Sequence, residues 1–303
     1  MRRAAVRLTS LLPFVLGASE ALAQMQTPVT AHYPPGQSGL RAAARPEPGI
    51  TFTNFNRFFT NVEQAGPSGA PVQSIEQQLR YANISMITWT SGWAPLGMRY
   101  GVLAGIPFAT GDLSSPNAES GLGLGDILLT PISLSGGGGQ LDYQIQLTLW
   151  SASGKFSPGA SDNRGTGFWA LVYSLGGVYY PGGDREAWSV SAIGRFEQNF
   201  EQRGSGIDPG DDIVVDWGVG RTFQPANHAV DVGVSGFALW QVTQQLGGSI
   251  EAEKERYRLF GIGPEASVSL TGPLSLRVRA QWEVAARNIV RGNNLWIIVN
   301  IRF

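Results

Sequence analysis

The sequence predicts an all-β fold: a transmembrane, antiparallel, up-and-down β-barrel of about twelve strands. The first reason is that apolar and polar residues alternate along most of the chain, which places them on opposite faces of strands. The second is that the alternating segments mostly hold 9–15 residues, whereas strands of globular proteins usually hold about 5–6 and tilted membrane strands about 9–11. The third is that short and long connections alternate, as in outer-membrane barrels.

Residues 1–23 have the features of an export signal. Three arginines precede a mostly apolar run, and the segment closes on Ala21-Leu22-Ala23, the small-x-small pattern that signal peptidases recognise. Pro13 would kink a helix there, and the run falls well short of the roughly 20 apolar residues that a transmembrane helix needs. We therefore expect cleavage after Ala23 and a mature chain that begins at Gln24.

Residues 24–48, here called the leader, contain five prolines and follow neither a strand nor a helix period. Two interpretations of the leader remain open. It is either a disordered periplasmic segment or a plug that folds into the barrel lumen from the periplasmic side. A plug would make the barrel a gated, substrate-specific uptake protein rather than an open pore. We expect the barrel itself to span residues 49–303.

The strand pattern is clearest in the last ten residues. Leu295, Ile297, Val299 and Phe303 are at odd-numbered positions, which share one face of a strand. The even-numbered positions, beginning with Asn294, carry the polar side chains of this segment. Residues 274–285, 141–152 and 186–198 repeat this alternation. Less regular alternation predicts eight further strands, at residues 49–59, 77–90, 98–106, 122–134, 168–180, 212–223, 228–242 and 256–270.

The predicted connections differ in length in a regular way. In chain order they hold 17, 7, 15, 6, 15, 5, 13, 4, 13, 3 and 8 residues. Each odd-numbered connection is longer than its neighbours, and outer-membrane barrels have short periplasmic turns and longer outer loops. With an even strand count, this pattern places both termini in the periplasm and the long loops outside the cell.

Two environments could explain the apolar strand faces: the core of an exported soluble sandwich or the lipid around a membrane barrel. Aromatic residues cluster near the predicted strand ends, as an interfacial girdle requires. They include Phe58-Phe59, Trp89, Trp93, Trp150, Phe168-Trp169, Tyr179-Tyr180 and Trp188. The chain also ends in Phe303 on the apolar parity, which predicts recognition of that residue by the barrel-assembly machinery. These features favour a barrel in the outer membrane of a Gram-negative bacterium.

Composition excludes several kinds of function. The chain has no cysteine and only two histidines, so we expect no metal site, no cofactor and no catalytic residues. Neither histidine lies near a serine elbow of the kind that a hydrolase uses. The net charge of −1 gives no reason to expect nucleic acid as a partner.

Charged residues on the polar strand faces are the candidate functional residues. An arginine that faced lipid at mid-bilayer would cost about 2–4 kcal/mol, so these side chains are expected to point into the lumen. There they either pair with one another and fill the barrel, or line a path that selects solutes by charge. At about twelve strands both are possible, since about eight strands give a filled interior and about sixteen an aqueous channel. The candidates are Arg277, Arg279, Glu283, Arg195, Glu197, Asp142 and Asp216.

The expected partners follow from this location. The apolar faces would contact the lipid bilayer, and the lumen would contact a small-molecule solute. Residues 251–256 read Glu-Ala-Glu-Lys-Glu-Arg, a solvated outer loop that could meet lipopolysaccharide through bridging cations. No strand carries an obvious subunit-contact signature, so the oligomeric state stays open.

Several short motifs are similar to those of a known family. They are His32-Tyr-Pro-Pro-Gly-Gln-Ser-Gly-Leu-Arg41, Pro46-Glu-Pro-Gly49 with the aromatic run that follows it, Gly123-Leu-Gly-Asp-Ile127 and the ending from Trp296 to Phe303. With them, nearly all of the mature chain resembles the outer-membrane proteins grouped as the putative MetA-pathway of phenol degradation family. The resemblance implies an envelope barrel that admits aromatic or other apolar nutrients, encoded near genes of aromatic or hydrocarbon catabolism.

The function expected from the sequence is therefore an outer-membrane channel or transporter that passively admits small solutes, aromatic or other apolar compounds among them. The alternative is a structural or surface-interaction barrel with a filled lumen and partner-binding outer loops. The sequence does not identify the solute.

Overall fold

The computed structural model describes residues 29–74, 79–110, 121–160, 162–225, 228–248 and 256–303. The predicted export signal, the first residues of the leader and residues 251–255 of the loop considered for lipopolysaccharide lie outside the described residues.

Twelve antiparallel strands form a closed ring, in which β1 pairs with both β3 and β14. Two short strands lie off the ring, with β2 paired to β1 and β5 paired to β4. The strands are β1 Gly49–Ala65, β2 Pro71–Ser74, β3 Leu79–Thr90, β4 Arg99–Thr110, β5 Leu122–Leu124, β6 Leu128–Gly138, β7 Leu141–Trp150, β8 Ala170–Tyr179, β9 Trp188–Asn199, β10 Asp212–Phe223, β11 Val230–Gln241, β12 Arg258–Thr271, β13 Leu274–Arg287 and β14 Val290–Arg302.

The two rims of the barrel differ. One rim, here called the short-turn end, carries the start of β1, the C-terminal residue Phe303 and tight turns, including the 3-10 turns Pro95–Gly97 and Pro181–Gly183. The other rim, the long-loop end, carries most of the long connections. No helix in the described residues is long and apolar enough to cross a membrane.

The prediction of an up-and-down barrel of about twelve strands is confirmed, with two differences in detail. The predicted strand 122–134 is divided into β5 and β6, because its register against β4 shifts by one residue between the pair Phe108–Leu124 and the pair Gly105–Leu128. The last connection is a two-residue turn instead of the eight residues expected. Asn288 takes a left-handed conformation there (φ 53°), which allows β13 and β14 to extend up to the turn.

The barrel has its polar residues inside. Asp216, Arg279 and Glu265 are at most 2 % exposed although they carry charge, while Leu175 and Val284 on the outer face are 65 % and 57 % exposed. This is the arrangement of a barrel whose outer face meets lipid and whose polar groups are satisfied internally.

Adjacent aromatic residues separate to opposite faces of the wall. Trp169 and Tyr179 are 49 % and 47 % exposed on the outside, whereas their neighbours Phe168 and Tyr180 are 1 % and 2 % exposed. Trp150 is also buried. The prediction of an interfacial girdle is therefore wrong for Phe168, Tyr180 and Trp150. Neighbouring residues of an extended chain point in opposite directions, so one residue of each adjacent aromatic pair faces the lumen.

Candidate functional site: the lumen and its leader

The described part of the leader, residues 29–48, lies inside the barrel. At the long-loop end, the Val29 N–H donates to Gln245 Oε1 (3.2 Å). At the short-turn end, the Arg45 N–H donates to Asp142 Oδ2 (3.2 Å), and the chain then enters β1. The leader thus runs the length of the lumen.

Carboxylates of the wall hold the leader backbone. Glu197 on β9 accepts the N–H groups of His32 (2.6 Å) and Tyr33 (3.2 Å). Asp216 on β10 accepts those of Gly36 (2.9 Å) and Ser38 (3.0 Å). Such hydrogen bonds to an ionised acceptor are roughly twice as strong as neutral ones.

The next carboxylate along the leader belongs to Glu265 on β12. Its two oxygens accept the Leu40 N–H, each at 3.1 Å. On its other side it pairs with Arg279 (2.7 Å) and Arg277 (3.3 Å). Arg279 also donates to the carbonyls of Gly36 and Gln37. In this buried ion pair, Glu265 therefore binds a backbone N–H of the leader and Arg279 binds two of its backbone carbonyls.

Glycines allow this close approach. A Cβ at Gly39 would collide with Glu265 and Arg279, so only glycine fits where the leader crosses that pair. On the wall, a Cβ at Gly218 would lie 3.1 Å from the Leu40 backbone, and one at Gly220 would lie 2.9 Å from the Leu40 side chain. The missing side chains leave a hollow in β10 in which Leu40 is 2 % exposed.

His32 fixes the leader at the long-loop end. Its Nδ1 lies 3.1 Å from Glu197 and its Nε2 lies 2.7 Å from the Thr166 hydroxyl and 3.5 Å from Asp126. Burial opposes the imidazolium charge, but hydrogen bonds to Asp126 and Glu197 outweigh it and raise the pKa of His32 to about 9. His32 is therefore a protonated bridge between leader and wall at neutral pH.

A second set of contacts fixes the leader at the short-turn end. Asp142 pairs with Arg185 through two hydrogen bonds of 2.6 and 2.7 Å. Arg41 of the leader donates to the Arg185 carbonyl (2.6 Å) and to the Thr222 hydroxyl. Both ends of the leader thus hold charged contacts.

Cavities remain on both sides of the leader. One of about 150 Å³ lies between the leader and Leu239, Leu259 and Val290. Two others lie mostly along β14, β1, β3, β4 and β6–β8, here called the cavity wall. The first, of about 240 Å³, lies at the long-loop end. The second, of about 170 Å³, lies deeper and shares Phe55 and Trp150 with the first. The strands that bind the leader at mid-barrel, β9–β13, are here called the leader-binding wall.

The seven candidate residues all lie on inward-facing strand positions. Four of them contact the leader: Glu197, Asp216, Arg279 and Asp142. Arg195 joins them by donating to the Ser38 hydroxyl (2.7 Å) and to Asp216 (3.3 Å). Arg277 pairs with Glu265, and Glu283 lies 3.9 Å from Arg57. Their part in solute selection stays a prediction.

Three residues that contact the leader or line a cavity were not predicted from the sequence. Glu265 follows Pro264, which blurs the alternation of β12. His32 has no local motif, because both of its carboxylate partners are distant in sequence. Trp296 lines the first cavity from the face assigned to polar residues. In the sequence, only the two glycines of Gly36-Gln-Ser-Gly39 indicated that the leader packs closely against the wall.

Solved structures with a similar fold are outer-membrane and autotransporter barrels. The COG4313 outer membrane channel from Pseudomonas putida F1 has a TM-score of 0.72 at 14 % identity, covering 89 % of this chain and 100 % of that one. The beta domain of the Bordetella autotransporter BrkA has a TM-score of 0.51 at 14 % identity, covering 85 % and 100 %. No curated protein matches the sequence.

The sequence matches the model of one protein family. The family model described as "Putative MetA-pathway of phenol degradation" matches residues 65–298, from the end of β1 almost to the end of β14. The match spans well over half of the chain. A barrel with polar residues inside and an apolar outer face fits the outer membrane of a Gram-negative bacterium. The chain therefore belongs to the family described as "Putative MetA-pathway of phenol degradation".

Proposed function

We propose that the protein is an outer-membrane channel through which small aromatic or other apolar solutes diffuse, with no covalent step and no cofactor. The pair of adjoining cavities between the leader and the cavity wall carries this proposal. Because the cavities share Phe55 and Trp150, a solute that left the first would meet the second. Family membership and the fold shared with a Pseudomonas outer membrane channel agree with it.

In this proposal the leader is a plug and acts as the gate. Ala43 of the leader packs with Val178 and Tyr180 in a fully buried cluster at the short-turn end. A solute in the second cavity would therefore reach the periplasm only after the leader shifts. The luminal charges would act on transport mainly by holding or releasing the leader.

The other expected partners belong to the same proposal. The exposed apolar face would contact the bilayer, and the long loops would meet lipopolysaccharide. Phe303 is 77 % exposed, and its N–H bonds the Ile50 carbonyl (2.8 Å), which leaves its ring available to the barrel-assembly machinery.

A structural or surface-interaction barrel is the second candidate, and one observation favours it. The leader and the buried ion pairs occupy much of the lumen, with Arg279 and Asp216 fully buried. A barrel of this kind would keep its leader fixed and would pass no solute.

Conductance of the purified, refolded barrel in a planar bilayer tests the channel proposal. We would compare the mature chain with a version that lacks residues 24–48. Current steps that are rare in the mature chain and frequent after truncation are expected, because removal of the leader opens the lumen. Silence from both proteins, with the barrel fold verified by circular dichroism, would contradict the channel and favour the structural barrel.

A further inference from the structure

The first cavity has the size and walls of a site for one aromatic ring. Its volume is about 240 Å³, and Phe55, Trp150 and Trp296 contribute aromatic faces to it. A buried apolar cavity of about 150 Å³ is enough to bind benzene. A single substituted ring therefore fits, and offset or edge-to-face contacts with these side chains would stabilise it.

An unused hydrogen-bond donor lies at this cavity. Trp296 is 1 % exposed, and its indole Nε1 has no acceptor among the described residues. A buried donor without a partner is unfavourable, so an acceptor brought by a ligand would be strongly preferred. The nearby acceptor Asn294 Oδ1 is already occupied by Arg57 Nε (2.6 Å).

Positive charge surrounds the same donor. The Arg57 guanidinium lies 5.4 Å from the Trp296 ring centre and lines the cavity, and Arg164 and the protonated His32 line it too. Asp126 is the carboxylate among the lining residues, and it is already bound by the N–H groups of Gly154 (2.8 Å) and Thr166 (2.6 Å). His32 is also paired with Glu197, and Arg57 lies 3.9 Å from Glu283, whereas the hydrogen bonds of Arg164 among the described residues go to backbone carbonyls. The positive charge of Arg164 therefore makes the lining favour an anion.

We propose that the first cavity binds a monocyclic aromatic carboxylate. Its ring would lie among Phe55, Trp150 and Trp296, and its carboxylate would accept the Trp296 indole N–H and a hydrogen bond from Arg57. This proposal rests on the proposed channel function and names the class of solute that the outer part of the path selects. A neutral aromatic ring fills the same space but leaves the donor unpaired, so it binds more weakly.

Titration of the detergent-folded mature chain with three probes tests the site. Benzoate carries both the ring and the acceptor, toluene lacks the acceptor, and cyclohexanecarboxylate lacks the aromatic face. By calorimetry at pH 7, benzoate should bind at least about tenfold more tightly than toluene, since a hydrogen bond to a charged group is worth about that much. It should bind several-fold more tightly than cyclohexanecarboxylate, which keeps the carboxylate but loses the ring contacts. Equal affinities for benzoate and toluene would overturn the proposal.

A matched pair of tryptophan variants sharpens the test. Trp296→Phe keeps an aromatic ring and removes the indole donor, so it should weaken benzoate binding about tenfold while leaving toluene binding unchanged. Trp282→Phe makes the same chemical change on the outer face, where Trp282 is 51 % exposed, and should leave both affinities unchanged. Equal benzoate affinity in the Trp296→Phe variant and the parent protein would place the ligand elsewhere and overturn the proposal.

Failure of this site and failure of the channel give different results. A barrel that conducts but does not prefer benzoate keeps the channel function and overturns the site. A barrel that prefers benzoate and loses this preference in Trp296→Phe, yet stays silent in bilayers even without residues 24–48, supports the site and overturns the channel.

Discussion

The two sides of the lumen are built differently although one chain forms both. The leader-binding wall presents buried carboxylates, each matched to backbone N–H groups of the leader, with Arg195, Arg277 and Arg279 beside them. The cavity wall presents neutral side chains at the same depth, such as Thr130, Gln144 and others that line the second cavity. The leader is held on one side and leaves most of the cavity space on the other.

This difference assigns separate tasks to the two walls. Carboxylates that accept leader hydrogen bonds are occupied, so they cannot also select solutes while the leader is in place. The neutral part of the cavity wall, at the second cavity, holds water and apolar groups with small penalties, whereas Arg57 on the same wall provides a charge at the first cavity. In the proposed function, gating and solute contact would therefore lie mainly on opposite sides of the leader.

Locking the leader to the cavity wall should have the largest effect. Ala43 Cβ lies 2.9 Å from the position that a Cβ would take at Gly176 on β8, and the chain has no cysteine of its own. A disulfide needs a Cβ separation of about 3.5–4.5 Å. A Cβ at Gly176 would also lie 2.7 Å from the Ile193 Cβ and 2.8 Å from the Ala192 carbonyl oxygen, so Ala43→Cys with Gly176→Cys requires β9 to shift as well as the leader. Circular dichroism of the reduced double variant verifies that the barrel still folds. Oxidation should abolish conductance and solute uptake, and a reductant should restore both.

The two single-cysteine variants are the controls for the lock, and neither should respond to oxidant. If the double variant is fully cross-linked and still conducts, the leader does not need to move and its role as a gate is wrong.

Replacing one polar side chain on each wall measures how much each wall contributes to the free energy of unfolding. Glu265→Gln leaves Arg279 buried beside a neutral amide, so the free energy of unfolding should fall by about 3 kcal/mol. Gln146→Leu on the cavity wall removes a 3.3 Å hydrogen bond to Ser133 and should cost about 1 kcal/mol or less. Urea titration of the refolded barrels provides both values.

The same pair of variants reports on the leader. Arg41 is a trypsin site that the folded lumen protects, whereas the Arg45–Pro46 bond resists trypsin. Glu265→Gln should therefore speed cleavage after Arg41, while Gln146→Leu should not. Equal losses of stability and equal cleavage rates would show that the two walls hold the leader alike.

High pH should weaken the leader contact at the long-loop end by a smaller amount. Because the pKa of His32 is raised from 6.5 to about 9, its charge contributes stability that is fully present below pH 6.5 and is lost as the pH rises through about 9. The difference in unfolding free energy between the parent protein and His32→Asn should be largest near pH 6 and shrink toward pH 10.

The second histidine provides a control for His32→Asn. His228 lies at the short-turn end, where its Nδ1 is 2.9 Å from the Ser269 carbonyl and no carboxylate bridges it to the leader. His228→Asn removes an imidazole that does not contact the leader, so it should leave trypsin cleavage of the leader unchanged. A His32→Asn difference that stays constant from pH 6 to 10 would mean that the charge on His32 does not hold the leader.

Much of the wall could be predicted because strand pairing repeats one local rule. The predicted strand 212–223 has the bounds of β10, and the predicted strand 274–285 lacks only the last two residues of β13. The end of β1 was missed because Thr60–Ala65 is polar and becomes a strand only by pairing with β14 and β2. Alternation identifies a strand with one apolar face, and a strand that rises above the membrane has no such face.

The sequence by itself determined a closed, lipid-facing barrel of about twelve strands and the inward position of its charges, because side chains alternate with period two and charge is excluded from lipid. Only the tertiary structure decided what those charges contact. Glu197 and Asp216 meet His32 and Gly36 across more than 160 residues of chain. Such contacts depend on how twelve strands bring residues that are distant in sequence into one lumen. Local periodicity contains no information about which of these residues come into contact.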